Sequence, residues 1–304
     1  MVRGWGRSLP SLLTSTVLVL TMSACNASDG ATVSSGAAST TTVTPPPPTT
    51  NTSTTTTTTT TLPTTTTTIP EPLSEIDAEI QIPAGSGPFP AVVLVHGGGW
   101  VAGDPSIMRP LAQYLTEAGF LTVNTRYALA GEQPGFPAAV DDVACAVRYA
   151  AAHPDSNGSV AVLGHSAGAH IAAVVALSGN DYAVSCPIAG TGLPDRLVGL
   201  AGPYDVARLG PLMLPFFGVG PTEAPETWVA GNPLHLVGQN PDLDSLLMYG
   251  DADGLIDSSF TFDFADALEG AGSEALVEEV EGARHNDMYA PRFVGDLIAS
   301  WLGG

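Results

Sequence analysis

Residues 160–170 read VAVLGHSAGAH, and they place Ser166 between Gly164 and Gly168 immediately after an apolar run and before an alanine-rich one. An apolar run that breaks into a helix-like segment predicts a strand-turn-helix. A G-x-S-x-G on such a turn forces its serine into a tight, exposed conformation where side chains at the flanking positions would collide with neighbouring backbone. A serine that only capped the helix would not need those glycines. Ser166 is therefore the candidate nucleophile.

Outward from this turn the pattern repeats. PAVVLVHGGG (90–99), FLTVNTRY (120–127), SVAVLGH (159–165), RLVGLAG (196–202) and SLLMYGD (245–251) are Val/Leu-rich runs of strand length. Continuous apolar runs of this kind predict strands buried on both faces of a parallel sheet. Between them, 106–119, 137–153, 167–178, 258–272 and 286–302 predict helices, several marked by an early proline or a closing glycine. Alternating strand and helix is the signature of an α/β domain with an open, mostly parallel sheet, whose ligand site lies beyond the carboxyl ends of the strands. Residues 203–244, rich in Pro, Gly and aromatics, interrupt the rhythm and read as a small irregular insertion, either a lid near the site or a surface excursion.

A serine hydroxyl becomes a useful nucleophile when an oriented imidazole takes its proton. LLMYGDADGLID places Asp253 just after a strand-like run, with Asp251 and Asp257 as rivals, and ALVEEVEGARHNDM places His285 after the last such run. The order Ser166, Asp253, His285 suits a hydrolase built on a strand-to-helix elbow. The remaining histidines take structural readings: His165 cannot turn back onto the hydroxyl, His170 packs beneath the elbow, His153 ends a helix where a cation suits the dipole, and His235 lies at the surface. Asp142 reads as a helix or loop anchor.

LVHGGGW (94–100) supplies a glycine run after a buried strand, with His96 expected to bond backbone. Clustered backbone N–H groups make an oxyanion hole, assigned here to Gly98, Gly99 and Ala167. A phosphate loop is the weaker reading, because GGGW lacks the lysine and hydroxyl of a P-loop. Trp100, Phe216, Phe217 and Trp228 either line an apolar pocket or belong to the core.

HGGGW, NTRYALAGEQPGFPAAVDDVACAVRYA, GHSAG, GDADGLID and GARHNDM together resemble the α/β-hydrolase superfamily. The resemblance is to its esterase/lipase branch, related to hormone-sensitive lipase and the feruloyl-esterase-like carboxylesterases, and it covers roughly residues 76–304. It implies the α/β-hydrolase fold, a Ser166–His285–Asp253 triad, a serine-ester mechanism on a small-molecule ester, and no metal or organic cofactor. Residues 127–132 read YALAGE where hormone-sensitive-lipase relatives often have YRLAPE, and the tryptophan after HGGG is closer to a type shared with bacterial esterases and formamidases. An amidase or formamidase on the same triad, and a non-catalytic surface binding module, are the alternatives.

The first residues bound the compartment. Residues 1–25 carry Arg3 and Arg7, an apolar stretch to Leu20 and small residues up to Cys25, a secretory signal too short to span a membrane. Met22-Ser23-Ala24-Cys25 resembles a lipobox, so Cys25 is the expected site of lipidation, with ordinary cleavage nearby as the alternative. Residues 26–73 are mostly Thr, Ser, Pro and Ala, with too few apolar residues to offset the entropy of ordering. Extended at about 3 Å per residue, such a linker reaches on the order of 100 Å. Residues 74–304 then form the hydrolase domain, at the outer face of the cell membrane through the lipid or secreted.

The chain has 30 acidic residues against nine arginines and no lysine. That balance disfavours nucleic acid, anionic membranes and strongly anionic substrates. The membrane is reached only through the anchor. Cys145 and Cys186 are a disulfide in an oxidising compartment or two buried thiols; neither lies in a CxxC, so zinc and redox roles have no support.

Overall fold

The computed structural model describes residues 76–304 apart from Glu132. The expected signal peptide, Cys25 and the Thr/Pro linker lie outside the described residues. Seven strands form one sheet: β1 (Ala78–Gln81), β2 (Phe89–Val95), β3 (Leu121–Thr125), β4 (Ser156–His165), β5 (Arg196–Leu200), β6 (Asp244–Gly250) and β7 (Glu274–Val280). Their order is β1-β3-β2-β4-β5-β6-β7, parallel throughout except for β1, which runs antiparallel to β3. This is the α/β-hydrolase architecture, a mostly parallel sheet between helices.

The longer helices are α1 (Arg109–Glu117), α2 (Ala138–Ala152) and α3 (Ala167–Ser178). Short helices α4 (Leu214–Phe217), α5 (Pro225–Ala230) and α6 (Pro233–Leu236) follow, and α7 (Ser259–Gly270) and α8 (Pro291–Gly303) complete the chain. The strand composition explains the layering. In β2, Ala91, Val93 and Val95 join the apolar layer of α2, α3 and α7, whereas Val92 and Leu94 join the layer of α1 and α8. Both faces of the pleat are covered, so every residue of the run can be apolar. The edge strand β7, EALVEEV, instead carries three glutamates and buries only Val280 fully, so the outer edge stays wet.

Chain direction across the sheet reverses between β2 and β4: β3 lies to one side of β2 and β4 to the other. Loops leaving these two strands diverge there and open the crevice in which ligands of such sheets sit. HGGGW follows β2 and the Ser166 turn follows β4. Topology alone thus brings the two motifs side by side.

Several boundaries differ from the sequence expectation. β2 stops at Val95 because Gly98, Gly99 and Trp100 take positive φ values of 136°, 60° and 65°. The 106–119 segment starts as a 3-10 turn, Pro105–Ile107, capped where Asp104 accepts the Ser106 N–H at 2.7 Å, and becomes α-helical at Arg109. The last helix begins at Pro291, after a 3-10 turn over His285–Asp287. The insertion is not a loose excursion: Phe216, Phe217 and Trp228 are buried in the α2/α3 layer, so the core reading of these aromatics applies.

Candidate active site

Ser166 sits between β4 and α3 at φ 54°, ψ −122°, a conformation that few non-glycine residues adopt. Its backbone is held from both sides. The Ser166 N–H donates to the Leu200 carbonyl of β5 at 2.9 Å, and the Ser166 carbonyl accepts from Ala169 and His170 at 2.9 and 3.2 Å. The flanking glycines are steric necessities. A Cβ on Gly164 would overlap the Gly168 carbonyl, and one on Gly168 would overlap the carbonyl oxygens of Val95 and His96. Strand, turn and helix therefore close onto β2 only with glycine at both positions.

The structure brings Ser166, His285 and Asp253 together. Ser166 Oγ lies 2.9 Å from His285 Nε2, and His285 Nδ1 lies 2.8 Å from Asp253 Oδ2. The Asp253 side chain is only 2% exposed, and its other oxygen accepts the Leu255 and Ile256 N–H groups at 2.8 and 3.0 Å. Since a carboxylate accepts, Nδ1 carries the imidazole proton and the Nε2 lone pair faces the serine hydroxyl. The rivals point elsewhere: Asp251 accepts the Gly282 N–H at 2.6 Å, and Asp257 accepts the Ser259 N–H at the start of α7.

The HGGGW loop lies directly against the elbow. A Cβ on Gly97 would meet His165 Nδ1 at 2.8 Å and Ser166 Cβ at 3.2 Å, so this glycine is what lets the loop approach. Sequence reasoning singled out Gly98 and Gly99 and passed over Gly97, although it lies in the same glycine run. The loop is closed by N–H groups of Val101 and Ala102 donating to the Gly98 carbonyl. The N–H groups of Gly98 and Gly99 take no part in that closure. Ala167 is the first residue of α3, where an N–H has no acceptor within the helix.

Each remaining histidine has a place. His96 is stacked on Tyr127, its Nδ1–H donates to the Gly97 carbonyl at 2.8 Å, and its own carbonyl accepts the Tyr127 hydroxyl. Burial pushes its pKa down. His165 turns away from Ser166, and its Nε2–H donates to the His285 carbonyl at 2.9 Å, a link across 120 residues with no local sequence signal. Burial pushes His165 down to about 3. His170 is fully buried and pushed down to about 4, also by burial. At the end of α2, His153 Nδ1 lies 3.2 Å from the Asp155 backbone nitrogen and 3.8 Å from its carboxylate. His235 is exposed, and Asp142 anchors the loop after β3 through the Ala128 N–H at 2.8 Å. Cys145 on α2 and Cys186 are joined by a disulfide.

Residues 78–268, more than half of the chain, match the BD-FAE family. The chain belongs to the BD-FAE family. That places it in the esterase/lipase branch of the α/β-hydrolases. Among curated relatives, it is 38% identical over 121 residues to the carboxylic ester hydrolase LipN of Mycobacterium tuberculosis, covering 38% of this chain and 32% of LipN. It is 27% identical to the esterase LipQ of the same organism over 237 residues, 70% of this chain and 55% of LipQ. The chain thus spans about a third to a half of the length of these relatives. A truncated carbohydrate esterase from gut microbiota superposes with TM-score 0.64 at 20% identity, over 74% of this chain and 88% of that one, a likeness of fold.

Proposed function

We propose that this BD-FAE chain hydrolyses carboxylic esters through an acyl-enzyme on Ser166. One observation carries the reading: Asp253, His285 and Ser166 form a hydrogen-bonded line at 2.8 and 2.9 Å, ending on a strained elbow at the point where the sheet reverses. In this reading His285 Nε2 takes the hydroxyl proton as Ser166 Oγ adds to the ester carbonyl. Asp253 fixes the tautomer and offsets the positive charge on the imidazolium. The N–H groups of Gly98, Gly99 and Ala167 receive the oxyanion. His285 then protonates the leaving alcohol, and water repeats the cycle to release the acid and restore Ser166. Esterase names among the relatives support the substrate class.

The test is steady-state hydrolysis of p-nitrophenyl esters from acetate to palmitate beside a formanilide. Ester turnover abolished by Ser166→Ala, with the anilide slow, supports the reading; a preference for the anilide replaces it with an amidase. A wild-type chain inert toward both returns the binding-module reading. We also propose export and a lipid tether on Cys25, which the Cys145–Cys186 disulfide supports through its preference for oxidising compartments. Metabolic labelling with palmitate tests the tether: label absent from wild type, or retained by Cys25→Ala, contradicts it.

A further inference from the structure

Trp100 follows the glycines assigned to the oxyanion and adopts φ 65°, a left-handed conformation that a bulky side chain rarely takes. Something must hold it there. The Trp100 carbonyl accepts the Ala130 N–H at 2.8 Å, and its indole N–H donates to His170 Nδ1 at 3.0 Å. The other ring nitrogen of His170 lies 2.7 Å from the Gly231 carbonyl, just past α5 in the insertion. An indole can only donate and a carbonyl can only accept, so His170 is the neutral tautomer protonated at Nε2. A neutral imidazole satisfies both neighbours at once, and neither aliphatic nor permanently charged side chains have that pairing. His170 also gives its backbone N–H to the Ser166 carbonyl at 3.2 Å. Phe216 packs edge-on to His170 at 5.4 Å between ring centroids and seals the pair from water.

Resting on the esterase reading, we propose that Trp100 and His170 are positioning residues: the indole-imidazole bond fixes the HGGGW loop to the nucleophile helix and keeps Gly98 and Gly99 aimed at the carbonyl oxygen beside Ser166. The hydrogen bonds and ring contacts of the two side chains run to each other, to Gly231 and to Phe216, not to Ser166, His285 or Asp253. The bond sets the distance between two parts of the site, the loop after β2 and the elbow after β4, that meet only across the sheet's reversal point. Misplacing an oxyanion donor weakens transition-state stabilisation and leaves ground-state binding nearly intact.

Two amide substitutions separate the arms of the imidazole. In His170→Asn, Oδ1 stands near the place of Nδ1 and can accept the indole N–H, but nothing reaches Gly231. In His170→Gln, the amide nitrogen stands near the place of Nε2 and can donate to Gly231, while the indole N–H loses its acceptor. Trp100→Phe removes the indole donor and keeps an aromatic ring. Steady-state kinetics of the full chain on p-nitrophenyl butyrate should give kcat about tenfold to a hundredfold lower for Trp100→Phe and His170→Gln, with KM within about twofold, and substantial rescue in His170→Asn. Hydrogen exchange of residues 96–103 should quicken in the first two variants and much less in the third. Equal loss in the Asn and Gln variants, or wild-type kcat in Trp100→Phe, would overturn the proposal. The exchange readout does not depend on turnover. A wild-type chain inert toward esters therefore sinks the hydrolase reading alone, whereas loop exchange unchanged in Trp100→Phe sinks the clamp.

Discussion

Ser166 and Gly210 have nearly the same backbone, φ 54°, ψ −122° and φ 52°, ψ −122°. In the insertion the position is filled by glycine, and a Cβ there would find nothing within 4 Å, so space does not demand it; conformation does. At the elbow the same conformation carries a serine, enclosed by β2, β4, β5 and α3. A non-glycine residue in such a region costs about 1–3 kcal/mol. The insertion avoids that cost, and the elbow bears it and offsets it with three backbone hydrogen bonds and two glycines whose neighbours leave no room for a Cβ. Strain is borne at the residue whose hydroxyl faces His285.

Ser166→Gly should remove ester hydrolysis by about 10⁴-fold or more while raising stability by about 1 kcal/mol as the strained residue gains glycine's freedom; an inactive variant that melts below wild type would show that Ser166 is not strained. Gly168→Ala should cost the fold more than Gly210→Ala in the insertion. Its Cβ meets β2 backbone that cannot move without the sheet, and a loss of about 2–4 kcal/mol is expected, seen as a Tm drop of roughly 5–15 °C.

The two regions also differ in their histidines: His165 and His170 are buried beside the elbow, whereas His235 in the insertion is exposed. With folded values pushed down to about 3 and 4, these imidazoles refuse protons that the unfolded chain accepts below about pH 6.5. Their contribution to stability is complete above that pH and is lost as pH falls from there toward the folded values. Thermal melts from pH 7 to pH 4.5 should therefore decline, and less steeply in His170→Asn. The smallest effect belongs to Gly210→Ala, about 1 kcal/mol or roughly 2–4 °C in Tm. Its kcat should match wild type; a fall in kcat would tie the insertion to the chemistry.

Much of this contrast was legible in the sequence, because doubly buried parallel strands write themselves as unbroken Val/Leu runs and the elbow writes itself as paired glycines. The antiparallel β1 left no such mark: AEIQ is only half-buried, and its partner β3 lies more than forty residues away. The end of β2 was misplaced because glycines that follow an apolar run do not announce where positive φ begins. Asp253 could not be separated from Asp251 and Asp257 by spacing; each makes a different local backbone bond that only the folded turn reveals. The roles of Trp100 and His165 were hidden for the same reason. Their partners, His170 and the His285 carbonyl, lie 70 and 120 residues away.

The claim that Ser166 is an activated nucleophile is tested most directly by treating the full chain with a fluorophosphonate and mapping the adduct by mass spectrometry. One adduct is expected, on Ser166, formed rapidly by wild type and lost in His285→Ala, since the hydroxyl then has no base at 2.9 Å. An adduct on another residue, or wild type left unmodified, would contradict it.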